Sequence, residues 1–106
     1  MKKVHGDEHP HVAAGLNNLA GLLRDQGKLD EAEPLFKEAV AVNKKVHGDE
    51  HPNVAAGIWN FAALVVQQGD RTEATRLWQQ ALAIYEKALG VDHPTTVQCR
   101  GWGAAL

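Results

Sequence analysis

Apolar residues recur along this chain at the spacing of α-helices. Two stripes share the spacing i, i+3, i+4, i+7: Leu16, Leu19, Ala20 and Leu23 in the first, and Ile58, Phe61, Ala62 and Val65 in the second. Two further stripes begin at Ala32 and Ala74. This period places each set on one face of a helix. The pattern therefore predicts four helices, near residues 10–26, 30–46, 52–68 and 72–89.

Glycines and short polar residues separate the predicted helices. Gly27 and Gly69 stand where a left-handed glycine commonly ends a helix. Asp30 and Thr72 are the candidate N-caps of the helices that follow. The sequence thus predicts two helix–turn–helix hairpins.

The whole pattern repeats with a fixed period. Pro10, Pro52 and Pro94 stand 42 residues apart. Periods of about 20–50 residues are typical of stacked-repeat proteins, in which each unit buries its apolar face against its neighbour. We expect one all-α domain over residues 1–106, with unit 1 at about 2–43, unit 2 at about 44–85 and a partial third unit at 86–106.

The string KKVHGDEHP occurs twice, letter for letter, at residues 2–10 and 44–52. Gly48 is placed to end one helix and Pro52 to begin the next. No cysteine accompanies the histidines, Asn53 replaces His11 in the second copy, and the spacing matches no structural zinc site. We interpret the string as a joint with solvated histidines rather than a metal site, and expect no cofactor. Because the chain starts at such a joint, we expect it to be a fragment of a longer array.

Composition excludes several classes of protein. A net charge of −2 lacks the basic excess of nucleic-acid-binding proteins. No apolar run approaches the roughly 20 residues that span a bilayer. The lone cysteine, Cys99, fits a reducing compartment. No Gly-rich phosphate loop or plausible nucleophile is present. We expect a cytoplasmic protein that is not an enzyme and binds neither nucleic acid nor membrane.

The residues at the repeated positions resemble the tetratricopeptide repeat (TPR), in its 42-residue kinesin-light-chain variety. The family's pattern in unit 1 is matched by Leu16, Leu19, Ala20, Leu23, Gly27, Ala32, Phe36 and Ala39. In unit 2 it is matched by Ile58, Phe61, Ala62, Val65, Gly69, Ala74, Trp78 and Ala81. The resemblance implies a short right-handed superhelix, an α-solenoid, that binds a peptide or partner protein and has no catalytic residues.

The resemblance also implies a binding face, the concave side lined by the first helix of each unit. Side chains opposite the core stripe lie on that side. An asparagine there offers both donors and an acceptor to a peptide main chain. The alternative is that the asparagines contact only water or the next helix. The predicted partner-binding residues are Ala14, Asn18, Gly21 and Asp25 in unit 1, and Ala56, Asn60, Ala63 and Gln67 in unit 2.

The third unit departs from the pattern. Gly101 and Gly103 fall within its predicted helix near residues 94–105, and each glycine there costs about 1 kcal/mol. We therefore expect this helix to form poorly and to leave an apolar patch uncovered. The alternative function is a structural unit that associates with copies of itself, most simply as a dimer. The predicted self-association residues are Trp59, Val66, Trp102 and Leu106.

Overall fold

The computed structural model describes residues 10–106, with side chains from residue 11 onward. Its helices are α1 (Pro10–Asp25), α2 (Leu29–His47), α3 (Pro52–Gln67), α4 (Arg71–Leu89) and α5 (Pro94–Ala104). Each helix begins and ends within one residue of its predicted bounds, so the all-α architecture is confirmed. α1 packs on α2 and α3 packs on α4, which gives two hairpins. The hairpins meet where α2 packs on α3, and α5 packs on α4.

Two apolar clusters hold the described helices together. The smaller one joins unit 1 to α3 and consists of Ala20, Ala32, Phe36 and Leu64. The larger one spans α3, α4 and α5, from Val54 to Tyr85 and Cys99. The predicted stripes supply most of both clusters. Burial of these apolar faces is the main favourable term in packing hairpin on hairpin.

The glycine turns have the predicted geometry. Gly27 and Gly69 follow α1 and α3 with φ values of 80° and 91°. The N–H of Lys28 donates to the Leu23 carbonyl at 2.8 Å, and the N–H of Asp70 donates to the Val65 carbonyl at 3.1 Å. These bonds satisfy carbonyls that a helix end leaves open, as in a Schellman motif.

The predicted N-caps Asp30 and Thr72 are wrong. Both residues lie inside helices, because α2 begins at Leu29 and α4 begins at Arg71. In α4 the cap is Asp70, whose Oδ1 accepts from the Glu73 N–H at 3.0 Å. In α2 the cap position is Lys28, which makes no side-chain cap bond. Each helix starts directly after its glycine turn, before the predicted capping residues are reached.

The HGDEHP string between the units is a joint, as predicted. Gly48 follows α2 with φ 90° and ψ 168°, a conformation nearly restricted to glycine. Pro52 then begins α3. The histidines, however, are more than solvated loop residues. Nδ1 of His51 accepts from the Asn53 N–H at 3.0 Å and so caps α3, and the His51 ring stacks on His47 with centroids 4.1 Å apart.

The same histidine cap recurs at the start of α5. There Nδ1 of His93 accepts from the Thr95 N–H at 3.1 Å, directly before Pro94. Histidine was overlooked as a cap because Ser, Thr, Asp and Asn are the usual ones. The earlier copy of the joint, at residues 2–10, lies outside the described residues except for Pro10.

Removing the histidine cap should destabilise α3. We expect His51→Ala to lower the free energy of unfolding by about 1 kcal/mol, the usual cost of losing an N-cap. His51→Asn should recover most of this loss, because asparagine can accept the same bond from the Asn53 N–H. Urea denaturation of the three proteins measures the effect. Equal losses in both variants would show that the stacking on His47, and not the cap, is what matters.

The helix predicted to form poorly, α5, is present and packed. The Trp78 indole N–H donates to the Cys99 carbonyl at 2.7 Å, and the Thr96 hydroxyl donates to the Tyr85 carbonyl at 3.4 Å. Gly103 is buried directly beneath the Trp78 ring. The prediction was wrong because it counted glycine only as a local cost. Here a glycine lets the helix approach a flat indole closely.

Burial raises the pKa values of two groups where α5 packs on α4. It raises the pKa of the Cys99 thiol to about 11. The pKa of Tyr85 is raised to about 12, mainly by burial and to a lesser extent by the nearby Cys99. Both groups therefore stay protonated at neutral pH. Since Cys99 is fully buried, its thiol can react with a reagent only when α5 opens.

Polar contacts reinforce the junction between the units. Nε2 of Gln68, at the end of α3, donates to Oε1 of Glu33 on α2 at 2.9 Å. This hydrogen bond is the main cause that lowers the pKa of Glu33, and the hydrogen bond from Lys37 adds to it. Lys87 on α4 pairs with Glu50 in the joint at 2.7 Å.

No helix within residues 10–106 combines the length and the hydropathy that a membrane span requires.

Candidate functional site

A concavity of about 370 Å³ opens between α1 and α3. Phe36 reaches it from α2, and the other residues come from the two first helices of the units. Most of these side chains are polar, and glycine occupies one position. The lining residues are Asn17, Asn18, Gly21, Leu22, Arg24, Asp25, Phe36 and Asn60.

The equivalent space between unit 2 and α5 is filled. Where α1 has Asn17 and Arg24, α3 has Trp59 and Val66, and both pack against the larger apolar cluster. The Trp59 ring meets the Trp102 ring edge to face, with centroids 6.3 Å apart. The same two repeat positions thus make a closed junction between unit 2 and α5 and an open, polar one between α1 and α3.

Three asparagine side chains converge on the concavity. Asn18 and Asn60 are exposed, one on each helix. Asn17 is half-buried, and its Oδ1 is shielded from solvent without a hydrogen-bond donor in the described part of the chain. A buried acceptor without a partner is costly.

One end of the concavity carries opposite charges. The Arg24 guanidinium lies over the Phe36 ring, 5.8 Å from its centroid. Its Nε is 3.6 Å from Oδ1 of Asp25, and the side chains are 24% and 72% exposed. Arg24 is therefore held by Phe36, whereas the Asp25 carboxylate faces solvent. The end of the site offers both a fork of donors and an acceptor.

This arrangement is rich in hydrogen-bonding groups. Its groups are amides, one guanidinium and one carboxylate. Among the described residues, His, Cys, Asp and Glu form no group of three or more that could hold a metal ion. The sole thiol, on Cys99, is buried in α5 away from the concavity.

The structure brings together half of the predicted partner-binding residues. Asn18, Gly21, Asp25 and Asn60 line the concavity. Ala14, Ala56, Ala63 and Gln67 lie on the same two helices but do not line it.

Four lining residues were not predicted from the sequence. These are Asn17, Leu22, Arg24 and Phe36. Asn17 and Arg24 form a second stripe, seven residues apart, on the side of α1 nearest α3. Their replacement by tryptophan and valine in unit 2 was visible in the sequence, and it could have located the open junction.

The residues predicted for self-association pack within the chain. Trp59, Val66 and Trp102 are half-buried against the core cluster of α3, α4 and α5. The half-buried Leu106 accepts a hydrogen bond at its carbonyl from Arg71 at 3.0 Å. Association between copies is not tested by these contacts and stays a prediction.

Two segments of the chain match the model of a protein family described as Tetratricopeptide repeat. The matches cover residues 12–53 and 60–95, which together make up most of the chain. They include all of α2 and α4, nearly all of α1 and much of α3. A search among curated proteins finds no match.

Proposed function

Because this chain belongs to the tetratricopeptide repeat family, whose repeats are generally protein–protein interaction modules, we propose that it binds an extended peptide of a partner protein in the concavity between α1 and α3. One observation carries this proposal. Asn17, Asn18 and Asn60 converge on a single hollow of about 370 Å³ that neighbouring side chains leave open. The chain acts by binding and not as an enzyme.

The asparagines would pair with the main chain of the peptide. The exposed amides of Asn18 and Asn60 can each donate to a peptide carbonyl and accept from a peptide N–H, so recognition needs no particular ligand side chain. Gly21 gives the peptide room, since a Cβ built there has no other side chain within 4 Å. Arg24 and Asp25 would then select a polar or charged side chain at one end.

The asparagines can be tested with peptides selected from a displayed random library on the unaltered protein. We expect Asn18→Ala with Asn60→Ala to weaken a selected peptide by about tenfold or more, because each lost hydrogen bond costs about 1–3 kcal/mol. The melting temperature should hardly change, since both side chains are exposed. Fluorescence anisotropy with a labelled peptide measures the affinity.

A matched control comes from Gln67, which is exposed on α3 but lies outside the concavity. Gln67→Ala should leave the affinity unchanged. Gly21→Leu gives an independent test, because it places a large side chain in the hollow at an unobstructed position. Unchanged affinity in the folded double variant and in Gly21→Leu would remove the concavity as the binding site.

Self-association is the second candidate function. Leu19 and Leu22 on α1 support it, because they are 48% and 55% exposed. The residues predicted at the other end are engaged by α5. If copies pair, sedimentation velocity at micromolar concentrations will show a dimer, and Leu19→Asp will convert it to monomer. A monomer throughout that range would rule out this candidate.

A further inference from the structure

Another groove, which we call the outer groove, lies between α2 and α4 over α3. Its volume is about 290 Å³, and it shares no lining residue with the concavity. Ile58 and Phe61 of α3 line it, and they lie about 160° and 100° around that helix from Asn60 of the concavity. The lining residues are Lys37, Val40, Lys44, Ile58, Phe61, Arg76, Leu77 and Gln80.

The outer groove combines apolar side chains with cations. The apolar ones are buried or half-buried, namely Val40, Ile58, Phe61 and Leu77. The cations are exposed, namely Lys37 and Lys44 on α2 and Arg76 on α4. No acidic residue is among the described side chains that line it. The groove can therefore receive an apolar side chain and a carboxylate next to each other.

The three cations differ in what they already bind. Nζ of Lys37 is 3.1 Å from Oε2 of Glu33 on the same helix. Arg76 donates twice to the Glu73 carboxylate, at 2.8 and 2.7 Å. The Lys44 ammonium makes no ion pair within the described residues 10–106. Lys44 is thus the cation with which a carboxylate from outside the chain can pair most readily.

The internal repeat shows what such a carboxylate would replace. Adding 42 to Lys44 and Ile58 gives Glu86 and Arg100. These two residues form an ion pair between α4 and α5, with Nη2 of Arg100 3.4 Å from Oε2 of Glu86. Between α2 and α3 the same positions hold a cation and an apolar side chain. The charge that is paired in unit 2 therefore stays unpaired at Lys44.

We propose that the outer groove binds an acidic segment of a partner protein, with a carboxylate on Lys44 and an apolar side chain against Val40. The Gln80 amide, on the α4 side, can donate to or accept from the main chain of the segment. This proposal does not depend on the concavity, because the two sites share no residue.

The size and charges of the groove favour a peptide segment over other anionic ligands. Its volume of about 290 Å³ is at the lower limit of small-molecule pockets, so it suits one or two side chains of a longer segment. A polyanion such as nucleic acid would also meet the carboxylates of Glu33 and Glu73, which flank the groove beside Lys37 and Arg76.

A subtractive selection supplies the probe. Displayed random peptides are kept if the unaltered protein binds them and the Lys44→Glu variant does not. Glutamate is the residue that unit 2 has at this position, and Lys44 is exposed, so the variant should fold normally. We expect the selected peptides to combine Asp or Glu with an apolar residue. In fluorescence anisotropy, Lys44→Gln should weaken such a peptide by about fivefold.

Matched controls separate the groove from overall charge and from the concavity. Lys45→Gln removes the same charge one residue away, outside the outer groove, and should leave the affinity unchanged. Asn18→Ala with Asn60→Ala should also leave it unchanged. Replacing the apolar residue of the peptide with serine should weaken binding by about tenfold.

Four results would overturn the proposal. The selection yields no peptide, or it yields peptides without acidic residues. The selected peptides lose as much affinity for Lys45→Gln as for Lys44→Gln, or they fail to bind the double asparagine variant, which would place them in the concavity. The last is a dimer of the chain alone that Lys44→Glu dissociates, which would make a second copy the occupant.

Discussion

Replacing Gly103 with alanine should weaken the packing of α5 on α4, whereas replacing Gly101 with alanine should stabilise α5. A Cβ at Gly103 would overlap the Trp78 indole ring, and a Cβ at Gly101 has nothing within 4 Å. We expect Gly103→Ala to cost about 1–3 kcal/mol of unfolding free energy, the usual penalty of overpacking. Gly101→Ala should add up to about 1 kcal/mol through helix propensity.

Two measurements report on this pair of variants. Urea denaturation gives the free energies of unfolding. Labelling of the thiol at pH 8 reports on α5 itself, because Cys99 is fully buried and burial raises its pKa to about 11. Gly103→Ala should label faster than the unaltered protein, and Gly101→Ala should label no faster. If both alanine variants gained stability, α5 would not be packed on Trp78, and the original expectation of a poorly formed helix would return.

Shortening Leu64 to alanine should be far more damaging than the same change at Leu22, its counterpart 42 residues earlier. Leu64 is fully buried between α3 and unit 1, whereas Leu22 is 55% exposed. We expect Leu64→Ala to cost about 2–5 kcal/mol, since it removes buried methyl groups and leaves a cavity. Leu22→Ala should stay within about 0.5 kcal/mol of the unaltered protein.

Thermal and urea unfolding check this comparison directly. Matching losses at the two positions would mean that Leu22 is covered in solution. That result would contradict the exposure of Leu22 in the structure.

The apolar period was enough to predict the helices, because each stripe must face its hairpin partner. The glycine turns at Gly27 and Gly69 followed from the same pattern. The wrong predictions arose where tertiary packing and turn geometry override local sequence preferences. Asp30 was a plausible cap by residue type, but the turn geometry starts α2 at Leu29. Gly103 was counted as a local cost, although it makes the contact with Trp78 possible.

The candidate site could be predicted only in part from the sequence. Asn18 and Asn60 follow from helical spacing, because they lie opposite the core stripe. Asn17 and Arg24 could not be found that way, since they face the neighbouring unit. Phe36 was assigned to the core and is buried there, yet its ring also forms part of the wall of the concavity. A pattern read along one helix does not show which spaces between helices stay open.

The difference between the two junctions is the feature on which the proposed function depends. A tryptophan and a valine of α3 close the junction with α5. Asn17 and Arg24 leave the junction between α1 and α3 open. Repeats that bound nothing at either junction would gain stability from apolar side chains in both places. The open, polar junction is therefore the basis of the proposal that a peptide binds there.

The side-chain amide signals of the asparagines test the central claim most directly. Asn17, Asn18 and Asn60 lie at the concavity, whereas the other two asparagines, Asn43 and Asn53, lie at the joint between α2 and α3. In a ¹⁵N correlation spectrum, a library-selected peptide should shift the side-chain NH₂ signals of the first three and leave those of the joint in place. Shifts confined to Asn43 and Asn53, or saturable binding that moves none of the three concavity amides, would contradict the account.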